Sequence, residues 1–251
     1  MATCKRMMYR NVMCGRFASF KPPDVMRALF RTTNPLPNFA ASWNIAPSQE
    51  AMVVRLNPET GERNLDVLTW GLVPHGTKDM KTACRPINAR AESIASSPMF
   101  KSALQKRRAI ICADAFFEWQ TPPNGPKQPY AIARRDRETM AFAGIWEGWK
   151  AETGKVIRSF AIITTAANSE MAPIHIRMPL ILDQADWEVW LGEGDGGSGL
   201  VKRSAMNDLL EAWPVGQEVN SPRNNGPDLL GTTYMSAVMA GGQNHTLGTR
   251  V

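Results

Sequence analysis

Between Ala109 and Thr165 the chain passes through four apolar runs in close succession: AIICA (109–113), PYAIARR (129–135), TMAFAGIWEGW (139–149) and VIRSFAIITT (156–165). Short runs rich in β-branched and aromatic residues, separated by turn formers, read as strands. AMVVRLN (51–57) and RNLDVLTWGLVP (63–74) flank the turn PETGE and add a strand and a longer strand, and VGQEV (215–219) reads as a late one. Helical patterns are fewer and unevenly spread. PPDVMRALFRTTN (22–34) places Val25, Leu29 and Phe30 on one side, SPMFKSALQKRRAI (97–110) leads into the strand AIICA, and DQADWEVWLG (183–192) and VKRSAMNDLLEAW (201–213) follow late. This mixture predicts one α+β domain, a curled sheet or open barrel of mostly antiparallel strands with peripheral helices. The longest apolar runs, such as Pro179–Leu182, are far too short to span a membrane, and no apolar stretch follows the basic start CKRMMYR. A cytoplasmic or nucleoid location, away from membranes, is expected.

Four cysteines (Cys4, Cys14, Cys84, Cys112) show neither CxxC spacing nor grouping with the three histidines. That pattern supports neither a metal site nor a disulfide framework, and Cys84 and Cys112 are expected as reduced thiols. The net charge of +6 is compatible with a phosphate-rich partner, but Lys5, Arg6 and Arg10 supply +3 of it from the first twelve residues. Those residues, MATCKRMMYRNV, have no acidic group and no apolar period, and read as an extension outside the mature protein. The domain is expected over residues 13–230, with a loose tail over 231–251. GEGDGGSG (192–199) lacks the strand and helix of a dinucleotide site and reads as a linker.

Several residues can carry chemistry. His175, in the proline-bounded loop APIHIRMP, is a candidate general acid–base group, though local sequence alone favours a surface histidine bonded to nearby backbone. Glu118 lies between Phe117 and Trp119 at a strand end. Either the aromatics desolvate it and raise its pKa, or it simply faces water. CRPINARAE (84–92) offers Asn88 and the guanidiniums of Arg85 and Arg90 for a sugar or phosphate, or is a charged loop; SPRNNGP (221–227) adds one more Arg, or is a plain turn. Of the eight Trp, most belong in a core. Trp70 and Trp119, at strand–loop junctions, are the candidates for stacking on bases.

In order along the chain, MCGRF, WNIAP, TWGLVP, RPINARAE, ADAFFEW, FAGIWEGW, AIITTAAN, IHIRMP and SPRNNGPDL resemble the blocks of the SRAP (SOS response-associated peptidase) family, over about Met13 to Leu230. The resemblance implies a single-domain α+β fold that recognises abasic sites in single-stranded DNA and cross-links to them through an N-terminal cysteine exposed by Met removal. It implies Cys14 as nucleophile, Asn88, Glu118 and His175 around the sugar, and Arg16, Pro47, Trp70, Arg90 and Trp119 along the DNA path. The substrate brings its own electrophile, so no metal or cofactor is called for, and a monomer is expected. The chain departs from the family in three ways, one being that GEGDGG and the tail fall outside the matched blocks. The prefix leaves Cys14 with an amide nitrogen, so translation starts at Met13, the prefix is removed, or the protein does not cross-link. His75 stands where the family often carries Trp. Two other readings stay open: a cysteine peptidase that releases its own N-terminus, and a non-catalytic reader of modified or single-stranded DNA.

Overall fold

The run at 156–165 becomes the strand around which the sheet curls. The computed structural model describes residues 14–80, 82–203, 207–231 and 234–236. The elements are β1 (Phe17–Ser19), α1 (Pro23–Phe30), β2 (Ser42–Ile45), β3 (Glu50–Leu56), β4 (Arg63–Trp70), β5 (Asn88–Arg90), α2 (Lys101–Lys106), β6 (Arg108–Ala113), β7 (Ala115–Gln120), β8 (Gln128–Arg134), β9 (Met140–Lys150), β10 (Val156–Ala166), β11 (Arg177–Pro179), α3 (Trp187–Leu191) and β12 (Leu210–Pro214). Along one edge β10 pairs in parallel first with β4 and then with β5; along the other it pairs antiparallel with β9 and then β11. Because β4, β3, β6 and β9 pair in that order, the β9–β10 and β10–β4 pairings close a ring of strands. A second sheet, in the order β12-β8-β7-β1-β2, is antiparallel throughout. The expected α+β domain with a barrel-like core is the observed architecture.

Both faces of β3, β6, β9 and β10 are buried along most of their length, which is why these strands read as apolar runs rather than as alternating ones, whereas β4 alternates. One face (Met52, Val54, Ile110, Cys112, Ala143, Ile163) lies under Met26 and Phe30 of α1, Leu104 of α2 and Trp187 and Trp190 of α3. The other (Val53, Trp70, Ile111, Phe142, Phe160, Ile162) meets Cys14, Phe17 and Phe116 from the second sheet. Gly144 of β9 is needed at the tightest point, because a Cβ there would stand 2.1 Å from Ile111 Cδ1 and 3.0 Å from the Ala161 carbonyl oxygen.

Several local expectations change. In α1 the buried side chains are Met26 and Phe30, while Val25 is exposed. The end of VKRSAMNDLLEAW is β12, not helix: Leu210–Pro214 satisfies the open edge of β8, and that pairing outweighs the helical spacing of its apolar residues. VGQEV is a 3-10 turn, Gln217–Asn220, with Val219 buried. The glycine run is a packed turn rather than a linker, for Gly197 lies so close to Val189 that a Cβ would meet its carbonyl oxygen at 2.1 Å. The tail begins packed: Tyr234 stacks on Trp213 with ring centroids 4.6 Å apart, and Arg137 covers its ring at 4.7 Å. Cys84 is engaged in a disulfide, contrary to the expected free thiol, whereas Cys112 is free and buried. Residues 1–12, the expected extension, and 237–251 lie outside the described residues. Among the described residues no helix is long and apolar enough to cross a membrane.

Candidate active site

β1 and β7 run antiparallel with Phe17 opposite Phe116, so the residues before β1 pass back along the end of β7. That register brings Cys14 to Glu118 across 104 residues of sequence: the Cys14 backbone N–H donates to Glu118 Oε1 at 2.6 Å. Cys14 is fully buried and holds a left-handed backbone, φ 42°, which is costly for a residue with a side chain and typical of functional positions.

Glu118 is 2 % exposed. Burial pushes its pKa from 4.5 up to about 7, against the opposing pull of the Cys14 and Trp119 backbone N–H groups and the Lys127 charge. The water-facing alternative is thus excluded, and so is the expected cause of desolvation. Phe117 and Trp119 neighbour Glu118 in sequence, but strand alternation sends them to the opposite face, where Phe117 packs with Ala18 and Val219. What faces the same way as Glu118 is Phe116 and Gln120. The Cys14 thiol is held well above its ordinary range, by burial first and then by the Glu118 charge.

Asn88 and His175 lie on segments that neighbouring residues tie to the elements of this pair. Asn88 starts β5, opposite Ile162 of β10. The preceding carbonyl, of Ile87, accepts the Trp70 indole N–H at 2.9 Å, and Trp70 packs edge-on against Phe17 at 5.1 Å. His175 sits in a turn closed by its own N–H and that of Ile174 to the Met171 carbonyl, both 2.9 Å. Gln120 Nε2 donates to the Pro173 carbonyl at 2.9 Å and so ties this turn to the strand of Glu118. His175 Nδ1 lies 3.1 Å from both the N and the O of Arg177, so either tautomer keeps Nδ1 engaged and leaves Nε2 for proton exchange.

Trp70 requires a correction. It is 0 % exposed and stacks on Phe160, so it cannot receive a base. Its backbone instead holds the turn that carries Pro47: Ser48 N–H donates to the Trp70 carbonyl and Trp70 N–H to the Gln49 carbonyl, each at 2.8 Å. Pro47 itself is exposed at that turn. Trp119 is half-buried, with the Arg16 guanidinium 6.0 Å from its ring and its indole N–H on Asn220 Oδ1 at 2.7 Å. Arg16 also donates to Asn44 Oδ1 (2.9 Å) and the Val219 carbonyl (2.7 Å), and partial burial lowers its pKa. Arg90 is exposed at the end of β5, and His75 is exposed.

Three residues of the site went unread in the sequence. Asn44, 1 % exposed, donates to the Ser221 and Asn224 carbonyls and pins SPRNNGP beneath Arg16. Gln120 had a usable signal, since it stands two residues from Glu118 on one strand face. Arg177 donates to the Thr164 carbonyl at 2.7 Å and pairs with Glu92 through both guanidinium nitrogens. A cavity of about 570 Å³ lined by Glu92, Thr165, Asn168, Lys202 and Arg203 includes none of Cys14, Asn88, Glu118 and His175. Among the described residues no group of His, Cys, Asp and Glu is arranged to hold a metal ion.

Comparison with known proteins points the same way. The family described as SOS response associated peptidase (SRAP) matches residues 13–222. YoqW of Bacillus subtilis (strain 168), named an abasic site processing protein, is 37% identical over 224 residues, covering 87% of this chain and 99% of its own. YedK of Escherichia coli (strain K12), which carries the same description, is 31% identical over 227 residues, covering 87% of this chain and 99% of its own. A solved structure of a Bacteroides thetaiotaomicron protein has a TM-score of 0.77 at 24% identity and covers 87% of this chain and 99% of that one, a likeness of fold.

Proposed function

The chain belongs to the SOS response associated peptidase (SRAP) family, and from that premise we propose that it recognises abasic sites in single-stranded DNA and cross-links to them through Cys14. The abasic site processing names of its relatives support the substrate class. One observation carries the chemistry: the Cys14 nitrogen lies 2.6 Å from a buried carboxylate whose pKa is about 7. In this reading the working form begins at Cys14, so that this nitrogen is an α-amine. Such an amine has a pKa of about 7.7–8.0, so a useful fraction is neutral near pH 7, as a Lys at about 10.4 is not, and the adjoining Glu118 accepts its proton.

The reaction runs in four steps. The abasic deoxyribose opens from hemiacetal to aldehyde, with Glu118 moving the proton between the ring oxygen and the C1′ hydroxyl. The neutral amine adds to the C1′ carbonyl and gives a carbinolamine. His175 Nε2 protonates the departing hydroxyl, water leaves, and a Schiff base forms. The Cys14 thiol then adds to the C=N carbon as its proton passes to nitrogen, closing a five-membered thiazolidine; the net loss is one water. A thiol kept protonated by burial suits that order, because the amine reacts first and sulfur closes the ring. Asn88 orients the sugar, Arg16 and Arg90 take phosphates, and Trp119 and Pro47 lie against bases. The protein acts as a monomer in the cytoplasm, at the nucleoid.

The test uses an oligonucleotide with one abasic site and the chain started at Met13, its first residue checked by mass spectrometry. A heat-stable band of raised mass on a denaturing gel, lost in Cys14→Ala and formed more slowly in His175→Ala, is expected. A chain shown to begin at Cys14 that gives no such band refutes the reading. So does a stable adduct formed by the chain that retains residues 1–13.

A further inference from the structure

One apolar side chain is out of place. Ile176 is 75% exposed, against 37–45% for Val25, Leu36, Met99 and Val156, the other exposed large apolar residues described. A lone exposed apolar residue is ordinary; this one stands between His175 and Arg177 on a backbone held on every side. Its carbonyl accepts the Ala167 N–H at 3.0 Å. The His175 ring before it is tied to the Arg177 backbone, and the Arg177 guanidinium after it is bonded to Thr164 and Glu92. A β-branched side chain is stiff at χ1. Ile176 is therefore a rigid apolar post beside the histidine assigned to the sugar.

We propose that Ile176 is a specificity wedge that enters the space left by the missing base and packs between the bases on either side of it; this rests on the function proposed above. Apolar side chains that enter an intact base step must first unstack it, which costs a few kcal/mol. At an abasic site that separation already exists, and the gap is walled by two base faces with nothing polar to satisfy. Phosphate contacts through arginines hold damaged and intact strands alike. Ile176 acts on the difference between them.

The experiment measures equilibrium binding to two fluorescent oligonucleotides, one intact and one with a single tetrahydrofuran, an abasic analogue that cannot form a Schiff base. The 251-residue chain and the form started at Met13 are both assayed, and the comparison is made on whichever binds more tightly. Ile176→Ala is expected to weaken binding of the tetrahydrofuran oligonucleotide about tenfold (about 1.4 kcal/mol) and to change binding of the intact one less than about twofold. Ile176→Leu restores the preference. With 2-aminopurine beside the analogue, the fluorescence change on binding shrinks in Ile176→Ala. If that variant leaves both affinities unchanged, or lowers them equally, while the wild type still prefers the analogue, the wedge is overturned and the proposed function stands. A wild type with no preference for the analogue also overturns the wedge, whereas the proposed function stands or falls on the cross-linking assay above.

Discussion

Replacing Glu118 by glutamine tests the electrostatics of the site apart from any DNA. The side chain is 2 % exposed, and burial raises its pKa from 4.5 to about 7. The sign follows from linkage. A carboxyl whose folded-state pKa is raised adds stability that is fully present below its unfolded value and lost as pH rises through its folded value. For Glu118 that window runs from 4.5 to about 7. Proton binding across it predicts that the wild type loses about 2–3 kcal/mol between pH 5 and pH 8 through this residue alone. Glu118→Gln does not titrate. Its amide can still accept from the Cys14 N–H, and the burial of an unpaired NH2 costs about 1–3 kcal/mol at every pH, so that cost cancels from the pH dependence. Denaturant unfolding of both proteins at half-unit steps from pH 5 to 8 is the assay. The stability difference in the 251-residue chain is expected to move toward the variant by about 2–3 kcal/mol across the series, and in the form that begins at Cys14 the variant loses cross-linking. In a form that begins at Cys14 the adjoining ammonium favours the carboxylate, and the movement shrinks. Parallel stability curves for wild type and variant in the 251-residue chain refute the raised pKa and the proton-transfer role built on it.

Other outcomes follow from the packing. Trp70→Ala removes a fully buried indole between Phe17 and Phe160 and lowers stability by about 3–5 kcal/mol in denaturant unfolding. Trp119→Ala weakens single-stranded DNA binding by about 1–3 kcal/mol, the worth of one stacked base, measured by fluorescence titration, and also lowers stability through the lost contacts with Asn220 and Arg16. Gln120→Leu cuts the bond to the Pro173 carbonyl and slows cross-linking at saturating DNA without changing affinity; an unchanged single-turnover rate removes Gln120 from the placement of His175. Asn44→Ala releases the carbonyls of Ser221 and Asn224 and the Oδ1 contact of Arg16, and costs about 1–3 kcal/mol of stability.

Where chemistry and local pattern agreed, the sequence was enough. The strands at 51–57, 109–113 and 139–149 need only apolar runs bounded by turn residues, and each became an element. Glu118 and Gln120 share a face because strand side chains alternate, which needs no knowledge of the partner strands. Local pattern failed where a distant partner decides. Leu209, Leu210 and Trp213 keep helical spacing, yet the open edge of β8 draws Leu210–Pro214 into a sheet. Trp70 ends its strand at a loop, where exposure is a fair expectation, but closing the ring of strands puts Phe160 on one side of it and Phe17 on another.

The sequence by itself determined the inventory: one α+β chain, and a cysteine, an asparagine, a glutamate and a histidine in the order that the family resemblance assigns to the sugar. Only the tertiary structure decided their relations: that a carboxylate 104 residues away bonds to the Cys14 nitrogen, that its own fold desolvates it, and that Ile176 stands bare beside His175. The reason is physical. Residue type and alternation act over a few bonds, whereas desolvation and contact depend on which surfaces the closed sheet brings together.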